Sequence, residues 1–157
     1  MSAVLARLAE LGLTVPEVAK PLAAYQPAVR DGNLIFTSGQ LPMVSGELAA
    51  TGKVGEGPGL VSAEAAKALA QICALNAIAA VQSLIGDLDK VTRVVKVVGF
   101  VASDPGFTGQ PGVINGASEL LGKAFGDAGI HARSAVGVAV LPLDAPVEVE
   151  ITVSVQD

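Results

Sequence analysis

The sequence has little of the chemistry that usually marks a metal-binding or disulfide-bonded protein. Its 157 residues include one cysteine, one histidine and no tryptophan. A single cysteine, Cys73, excludes an intrachain disulfide framework. A zinc site needs several His, Cys or carboxylate ligands that converge, and His131 with the distant Cys73 leaves too few. We therefore expect no bound metal, although a Mg or Ca site made of carboxylates alone stays open without a motif to support it. We interpret Cys73 as a small apolar residue buried in a helix.

Motifs for nucleotide cofactors are missing as well. The chain has no GxxxxGK[ST] loop and no convincing GxGxxG after a strand. Four glycines, at positions 52, 55, 57 and 59, precede a long helical pattern and weakly suggest anion binding at its N-terminus. A flexible connection is the stronger interpretation of these glycines. The sequence therefore predicts a protein that works without a cofactor.

Charged and aromatic residues are both scarce. Charged residues make up 16% of the chain and aromatic residues 3%, whereas charged residues usually contribute roughly 25%. Hydrophobic residues make up 51%, so the core must be built from Ala, Val, Leu and Ile. A chain of this length with so little charge has much apolar surface to hide. We therefore expect self-association, since a subunit interface removes apolar surface from water.

Nucleic acids and membranes are not expected partners. The net charge is -5, with no basic stripe and no aromatic platform in the sequence. The N-terminal MSAVLARLAELG lacks the apolar region of a secretory signal. The apolar stretch from Ala63 to Ile85 is too polar to be assigned as a membrane span, because it contains Glu64, Lys67, Gln71, Asn76 and Gln82. A cytoplasmic location is the expectation.

One domain spanning residues 1–157 is predicted, with a helical extension at its N-terminus. Residues 3–11 have the leucine spacing of a short helix, and Gly12 suits its end. This extension, residues 1–16, precedes a predicted core of residues 25–155. We expect it to be dispensable for the core fold.

Turn and periodicity signals predict five strands and two further helices. The dipeptide Asp31-Gly32 predicts a hairpin. Residues 42–60 predict a loop whose length suggests a function. Ser62 is suited to cap a long helix. The predicted strands occupy 26–30, 33–38, 91–102, 133–141 and 147–155, and the predicted helices run from Ser62 to about Leu84 and over 113–126.

The last predicted strand indicates the fold class. Val147 and Val149 point to one face, and Glu148 and Glu150 to the other, in strict alternation. Hairpins dominate the predicted connections, and the last one joins 133–141 to the final strand. The pattern predicts an α+β layer with a mostly antiparallel sheet and two helices on one face.

Two residues stand out as candidate chemistry. The guanidinium of Arg133 is a rigid fork that can hold a carboxylate with two parallel hydrogen bonds. Glu148 can hold a water or exchange a proton if burial raises its pKa. A tight hairpin would place the two toward opposite ends, so they need not meet within one chain. Taken alone, each residue also fits a solvated surface position. Ser134 lies near His131, but no G-x-S-x-G elbow indicates a nucleophilic serine.

Several segments in order carry a family resemblance. They are GNLIFTSGQLP at 32–42, VTRVVKVVGFVAS at 91–103, ARS at 132–134 and LPLDAPVEVEI at 141–151, with Asn115 in the second long helix. Their combination is specific, although each segment alone is weak. From about Tyr25 to Val155, the chain resembles the YjgF/RidA family of reactive-intermediate (enamine/imine) deaminases.

This resemblance implies a fold, an assembly and a site. The fold is the chorismate-mutase-like α+β fold, and the assembly is a homotrimer with clefts between neighbouring subunits. Arg133 would hold a substrate carboxylate, and Glu148 would position or activate water. Tyr25, Ser38 and Asn115 would line the cleft. The implied reaction is hydrolysis of an enamine or imine to a keto acid and ammonia, without a cofactor.

The chain also departs from the family pattern. Ala135 follows A-R-S where the family often has cysteine, and His131 replaces a frequent proline. The N-terminal segment and the 42–60 loop are interpreted as marks of a divergent branch. The alternative function is a non-catalytic trimer that binds small carboxylate metabolites through Arg133.

Overall fold

The local patterns fold into three α-helices and seven strands. The computed structural model describes residues 2–157. The helices are α1 (Ala3–Glu10), α2 (Ala63–Ile85) and α3 (Gln110–Phe125). The strands are β1 (Ala28–Asp31), β2 (Leu34–Thr37), β3 (Met43–Val44), β4 (Glu47–Leu48), β5 (Val91–Ala102), β6 (Ala132–Val138) and β7 (Val147–Val155). Short 3-10 turns lie at Leu88–Lys90, Gly126–Gly129 and Pro142–Asp144.

Helix ends follow the capping signals in the sequence. The hydroxyl of Ser62 accepts a hydrogen bond from the Ala65 N–H and begins α2 as predicted. Gly86, at φ 71°, ends this helix. α3 begins at Gln110, earlier than the predicted start at 113, because Pro111 suits a first helical turn. By length and composition α2 could cross a membrane, but much of it is buried in the core.

The main sheet has the strand order β1-β2-β7-β5-β6. Three pairs are antiparallel, and β5 pairs with β6 in parallel. The predicted hairpin between 133–141 and 147–155 is therefore wrong, since β5 lies between β6 and β7. α3 is the crossover that a parallel pair requires, and it carries the chain from the end of β5 back to the start of β6. The sheet is mixed, within the α+β fold expected from the sequence.

Two smaller predictions also need correction. The β1–β2 hairpin forms, but its turn is Gly32-Asn33 instead of Asp31-Gly32, because Asp31 still pairs with Leu34. The predicted 42–60 loop contains a short antiparallel hairpin, β3–β4. Beyond that hairpin, buried Val54 is tied to the end of β5 by a hydrogen bond from its N–H to the Ala102 carbonyl at 2.7 Å.

α2 and α3 cover one face of the sheet, and the core lies between. Val147, Val149, Ile151, Val153 and Val155 all point into it, which confirms the alternation predicted for β7. α2 and α3 approach closely at Gly116. A Cβ at that position would collide with the backbone carbonyl of Lys67, which explains a glycine in the middle of a helix.

α1 is part of the same core. Val4 and Leu8 are almost completely buried there. Asp89 fixes the start of the helix by accepting hydrogen bonds from the Ser2 hydroxyl at 2.6 Å and the Ala3 N–H at 2.7 Å. We therefore expect removal of residues 1–16 to destabilise the fold, and this replaces the expectation that the extension is dispensable.

Candidate functional site

Arg133 lies on edge strand β6 and points to the helix-covered face of the sheet. It is level with buried Val97 of β5, so both side chains lie on that face. Its Nη1 donates to Asn115 Oδ1 at 2.8 Å and to Ser118 Oγ at 3.2 Å, and its Nη2 donates to the Pro111 carbonyl at 3.3 Å. We call this group the Arg133 half-site: Arg133 with Asn115, Ser118 and the Pro111 carbonyl.

These contacts leave one edge of the guanidinium available. Arginine has five N–H donors, and the three acceptors of the half-site occupy both hydrogens of Nη1 and one of Nη2. Within residues 2–157, the structure gives the Nε–H no protein acceptor. The Nε–H and the second Nη2–H form the parallel pair that fits the two oxygens of a carboxylate.

Asn115 and Ser118 reach Arg133 from a single face of α3. They are three residues apart, a spacing that places side chains on the same side of a helix. Asn115 was predicted to line a cleft, and the structure shows that its oxygen orients Arg133. Ser118 was not predicted. The only signal for it was its i+3 spacing from Asn115.

Glu148 lies on the opposite, uncovered face of the sheet. It is level with Phe100 of β5, and its neighbour on this face of β7 is Glu150. Partial burial raises the pKa of Glu148, and the nearby carboxylate of Glu150 raises it further. No hydrogen bond joins its carboxylate to another part of the described chain, residues 2–157. The group is therefore free to accept a hydrogen bond from water or from a ligand.

Gly39 shapes the position of Glu148. The segment after β2 runs beside β7, where Gln40 and Val149 exchange backbone hydrogen bonds of 2.8 and 3.0 Å. A Cβ at Gly39 would lie 2.7 Å from Glu148 Cδ and 2.9 Å from Glu148 Oε1. The absence of a side chain at 39 therefore makes room for the carboxylate.

Ser38 and Tyr25 lie near Gly39, Ser38 as its neighbour in the chain and Tyr25 through a shared pocket. The Ser38 hydroxyl donates to the Gln26 carbonyl at 2.5 Å, and the Tyr25 hydroxyl accepts from the Leu22 N–H at 3.0 Å. Tyr25 lines a small pocket together with Gly39. We call Glu148, Gly39, Ser38 and Tyr25 the Glu148 half-site.

The two half-sites do not meet within one chain. Arg133 and Glu148 are separated by two strand spacings and three residues along the strands, which corresponds to roughly 14 Å between their Cα atoms. They also lie on opposite faces of the sheet. The prediction that they need not meet in one chain holds, but the cause is the position of β5 between β6 and β7, not a tight hairpin.

No metal centre accompanies these groups among the residues that the structure describes. Residues 2–157 contain no cluster of three or more His, Cys, Asp or Glu side chains that could hold an ion. The chemistry of both half-sites is therefore that of a guanidinium, carboxylates, hydroxyls and an amide.

Comparison with known proteins decides the family. The family model described as "YjgF/chorismate mutase-like, putative endoribonuclease" matches residues 5–153. The chain belongs to this YjgF family. It is 43% identical over 155 residues to "Protein TCP17" of Trypanosoma cruzi, covering 98% of this chain and 95% of that protein.

Solved structures of the YjgF type match nearly the whole chain. The protein Atu1372 of Agrobacterium tumefaciens, which is described as having unknown function, is 46% identical with a TM-score of 0.89, covering 98% of this chain and 93% of its own. A Shewanella oneidensis protein described as "a putative endoribonuclease" is 30% identical with a TM-score of 0.92. The match covers 99% of this chain and 100% of that protein. These matches include nearly all of the N-terminal segment, so α1 is not peculiar to this chain.

Proposed function

We propose that this YjgF family protein is a cofactor-free deaminase that hydrolyses enamines or imines derived from amino acids. The observation that carries the proposal is the guanidinium of Arg133, which three protein acceptors hold while one bidentate edge stays available. An imino acid carries a carboxylate that fits this edge. The resemblance to the reactive-intermediate deaminases supplies the reaction class.

Glu148 is the group proposed to act on water. In the reaction, water adds to the electrophilic carbon of a protonated imine, the carbon–nitrogen bond breaks, and a keto acid and ammonia leave. The carboxylate of Glu148 accepts one proton from the attacking water and returns it to the nitrogen. It then accepts the proton of the newly formed hydroxyl group, so that the carbonyl forms as ammonia leaves. Partial burial raises its pKa, which brings the group closer to the pH at which it can both accept and return a proton.

Arg133 and Glu148 can serve one substrate only if they come from neighbouring subunits. We propose that the chain forms a homotrimer whose clefts pair the Arg133 half-site of one subunit with the Glu148 half-site of the next. The uncovered face of the sheet supports this assembly, because Val29, Phe36 and Val136 are exposed on it. A mass measurement by sedimentation that gives a monomer stable to dilution would contradict it.

The shared cleft can be tested by mixing two inactive variants. Ammonia release is measured on freshly generated 2-imino acids for Arg133→Ala, for Glu148→Gln and for the two variants co-expressed. At a 2-imino acid concentration well below the wild-type KM, each homotrimer should be almost inactive, Arg133→Ala through weak binding and Glu148→Gln through slow turnover. In random trimers, about one quarter of the clefts combine an intact Arg133 with an intact Glu148 of the next subunit, so about a quarter of wild-type activity should return.

The matched control replaces the Arg133→Ala partner by the double variant. Co-expression of Glu148→Gln with Arg133→Ala/Glu148→Gln leaves no intact Glu148, so no cleft is complete and activity should stay absent. If the first mixture is as inactive as this control, the two residues do not share a cleft between subunits.

The Arg133 half-site favours a second candidate, a trimer that binds small carboxylates without turnover. Three acceptors of α3 hold its guanidinium and leave one edge available, so carboxylate binding does not require Glu148. This alternative predicts no ammonia release by the wild-type protein, and a carboxylate affinity that Glu148→Gln leaves unchanged. Calorimetry with 2-oxobutanoate, a keto acid of the proposed product class, distinguishes the two candidates.

A further inference from the structure

A second layer of hydrogen bonds lies behind Arg133. The Oγ atom of Ser118, which accepts from Arg133 Nη1, lies 2.9 Å from Nε2 of His131. The other ring nitrogen, Nδ1, lies 2.6 Å from the carbonyl oxygen of Gly129. These hydrogen bonds form a continuous row that joins the side chains of Arg133, Ser118 and His131 to the backbone carbonyl of Gly129. The row runs from β6 through α3 to the turn before β6.

The direction of every hydrogen bond in this row follows from Gly129. A carbonyl oxygen can only accept, so Nδ1 of His131 must carry the hydrogen. In the neutral ring, Nε2 is then an acceptor, and it takes the hydroxyl hydrogen of Ser118. With its hydrogen committed to His131, Ser118 Oγ presents a lone pair to Arg133. The histidine therefore decides which way the serine hydroxyl points.

We infer that Ser118 and His131 are positioning residues that hold Arg133 in the orientation required to bind a substrate carboxylate. The inference rests on the proposed role of Arg133 as the carboxylate anchor. Asn115 accepts from Nη1 at 2.8 Å, Ser118 accepts from the same nitrogen at 3.2 Å, and the Pro111 carbonyl accepts from Nη2 at 3.3 Å. Loss of the Ser118 acceptor leaves one hydrogen of Nη1 without a partner and gives the planar guanidinium more freedom to tilt. A guanidinium that tilts away from this orientation aligns its two hydrogen bonds to the ligand less well, so binding must pay to restore the alignment.

This row depends on a residue in which the chain departs from its family. The resemblance implies a frequent proline at position 131, and proline has no ring nitrogen that could accept from Ser118. The chain therefore supports its arginine through His131 and Ser118, a pair that a proline at this position cannot form.

The test compares carboxylate affinity in variants of the row. Ser118→Ala removes the acceptor of Arg133, and His131→Leu removes the group that orients the serine. Each should raise the Kd for 2-oxobutanoate, and the KM for 2-imino acids, by roughly three- to tenfold, the usual effect of one hydrogen bond. The kcat should change little, since the carboxylate is held equally in ground and transition states. His131→Gln keeps an acceptor near the position of Nε2 and should restore most of the affinity.

Ser83→Ala is the matched control. Ser83 is also a helical serine whose hydroxyl is hydrogen-bonded, here to the Ala80 carbonyl of its own helix, but it lies on α2 and does not contact Arg133. Its substitution should leave the Kd unchanged. A double variant, Ser118→Ala/His131→Leu, should be no worse than either single change, because both act through one row.

Nitrogen NMR supplies a readout that does not depend on turnover. Slow rotation of the guanidinium should give separate Nη1 and Nη2 signals for Arg133 in the wild type, and these should merge in Ser118→Ala and His131→Leu. The ring of His131 should show its hydrogen on Nδ1. A hydrogen on Nε2, or unchanged affinity and unchanged Arg133 signals in both variants, would overturn the inference. If Arg133→Ala also binds 2-oxobutanoate as tightly as wild type, Arg133 is not the carboxylate anchor and the proposed function fails too. If only Arg133→Ala loses affinity, the proposed function stands and the inference about Ser118 and His131 fails alone.

Discussion

Gly39→Ala should lower turnover by displacing the carboxylate of Glu148. An added Cβ would lie 2.7 Å from Glu148 Cδ, whereas ordinary contact begins at 3.4 Å. The backbone beside it is fixed by the two hydrogen bonds between Gln40 and Val149, so the flexible carboxylate must move. The displacement is at least about 0.7 Å, the difference between the two distances, which approaches the roughly 1 Å misplacement that costs a catalytic site about a hundredfold.

We therefore expect kcat for ammonia release to fall by about tenfold or more in Gly39→Ala. The Kd for 2-oxobutanoate should change little, since Arg133 is untouched. The fold should remain stable, because the backbone at Gly39 is not in the left-handed region and needs no rearrangement. The assay is a comparison of kcat, Kd and the thermal unfolding midpoint with those of wild type.

Gly122→Ala is the matched control for this substitution. Gly122 lies inside α3, and a Cβ there meets no neighbouring atom within 4 Å. Its replacement should leave turnover unchanged and stabilise the helix by about 0.5–1 kcal/mol. If Gly39→Ala has wild-type kcat while Glu148→Gln is inactive, the position of the carboxylate is not set by Gly39 and the reasoning is wrong.

Three further substitutions test the anchor and the N-terminal helix. In calorimetry, Arg133→Lys should bind 2-oxobutanoate nearly as poorly as Arg133→Ala. Loss of one charged hydrogen bond costs about 1.5–3 kcal/mol, which lowers the affinity roughly ten- to a hundredfold. Binding at wild-type strength would exclude two parallel hydrogen bonds from Arg133 to the carboxylate. Leu8→Ala should destabilise the fold by about 2–5 kcal/mol in urea, whereas exposed Leu11→Ala should have little effect; equal effects would mean that α1 does not pack as described. Hydrogen bonds from the Ser2 hydroxyl and the first N–H groups of α1 lower the pKa of Asp89. The ionised carboxylate therefore stabilises the folded state above the unfolded pKa of about 4, and this stabilisation is lost as the pH falls through the lower folded pKa. Denaturation of wild type and Asp89→Ala should therefore differ at pH 7 and converge in acid; a difference that grows in acid would contradict this sign.

Local signals predicted the elements well because their causes are local. Ser62 begins α2 through a hydrogen bond to Ala65, three residues away, and the alternation in β7 needs only one buried face. The β5–β6 pair could not be predicted in the same way. Which strands become neighbours depends on the path of α3, and the turn before β7 resembled an ordinary hairpin turn.

The candidate site was predictable only in part. The chemistry of Arg133 and the resemblance together indicated the arginine and Asn115, and the structure brings these two into contact. Ser118 and Gly39 were missed because neither residue type is unusual in a helix or a loop. Their roles follow from what they face, namely a guanidinium and a carboxylate, and those neighbours are distant in sequence.

Substitutions in the two half-sites should affect different kinetic quantities, because the half-sites are separate within one chain. Arg133 is supported from α3 on the covered face of the sheet, and Glu148 is accommodated by Gly39 on the uncovered face, with no residue shared between the two supports. Changes around Arg133 should therefore alter affinity for the carboxylate and leave kcat nearly constant. Changes around Glu148 should do the reverse.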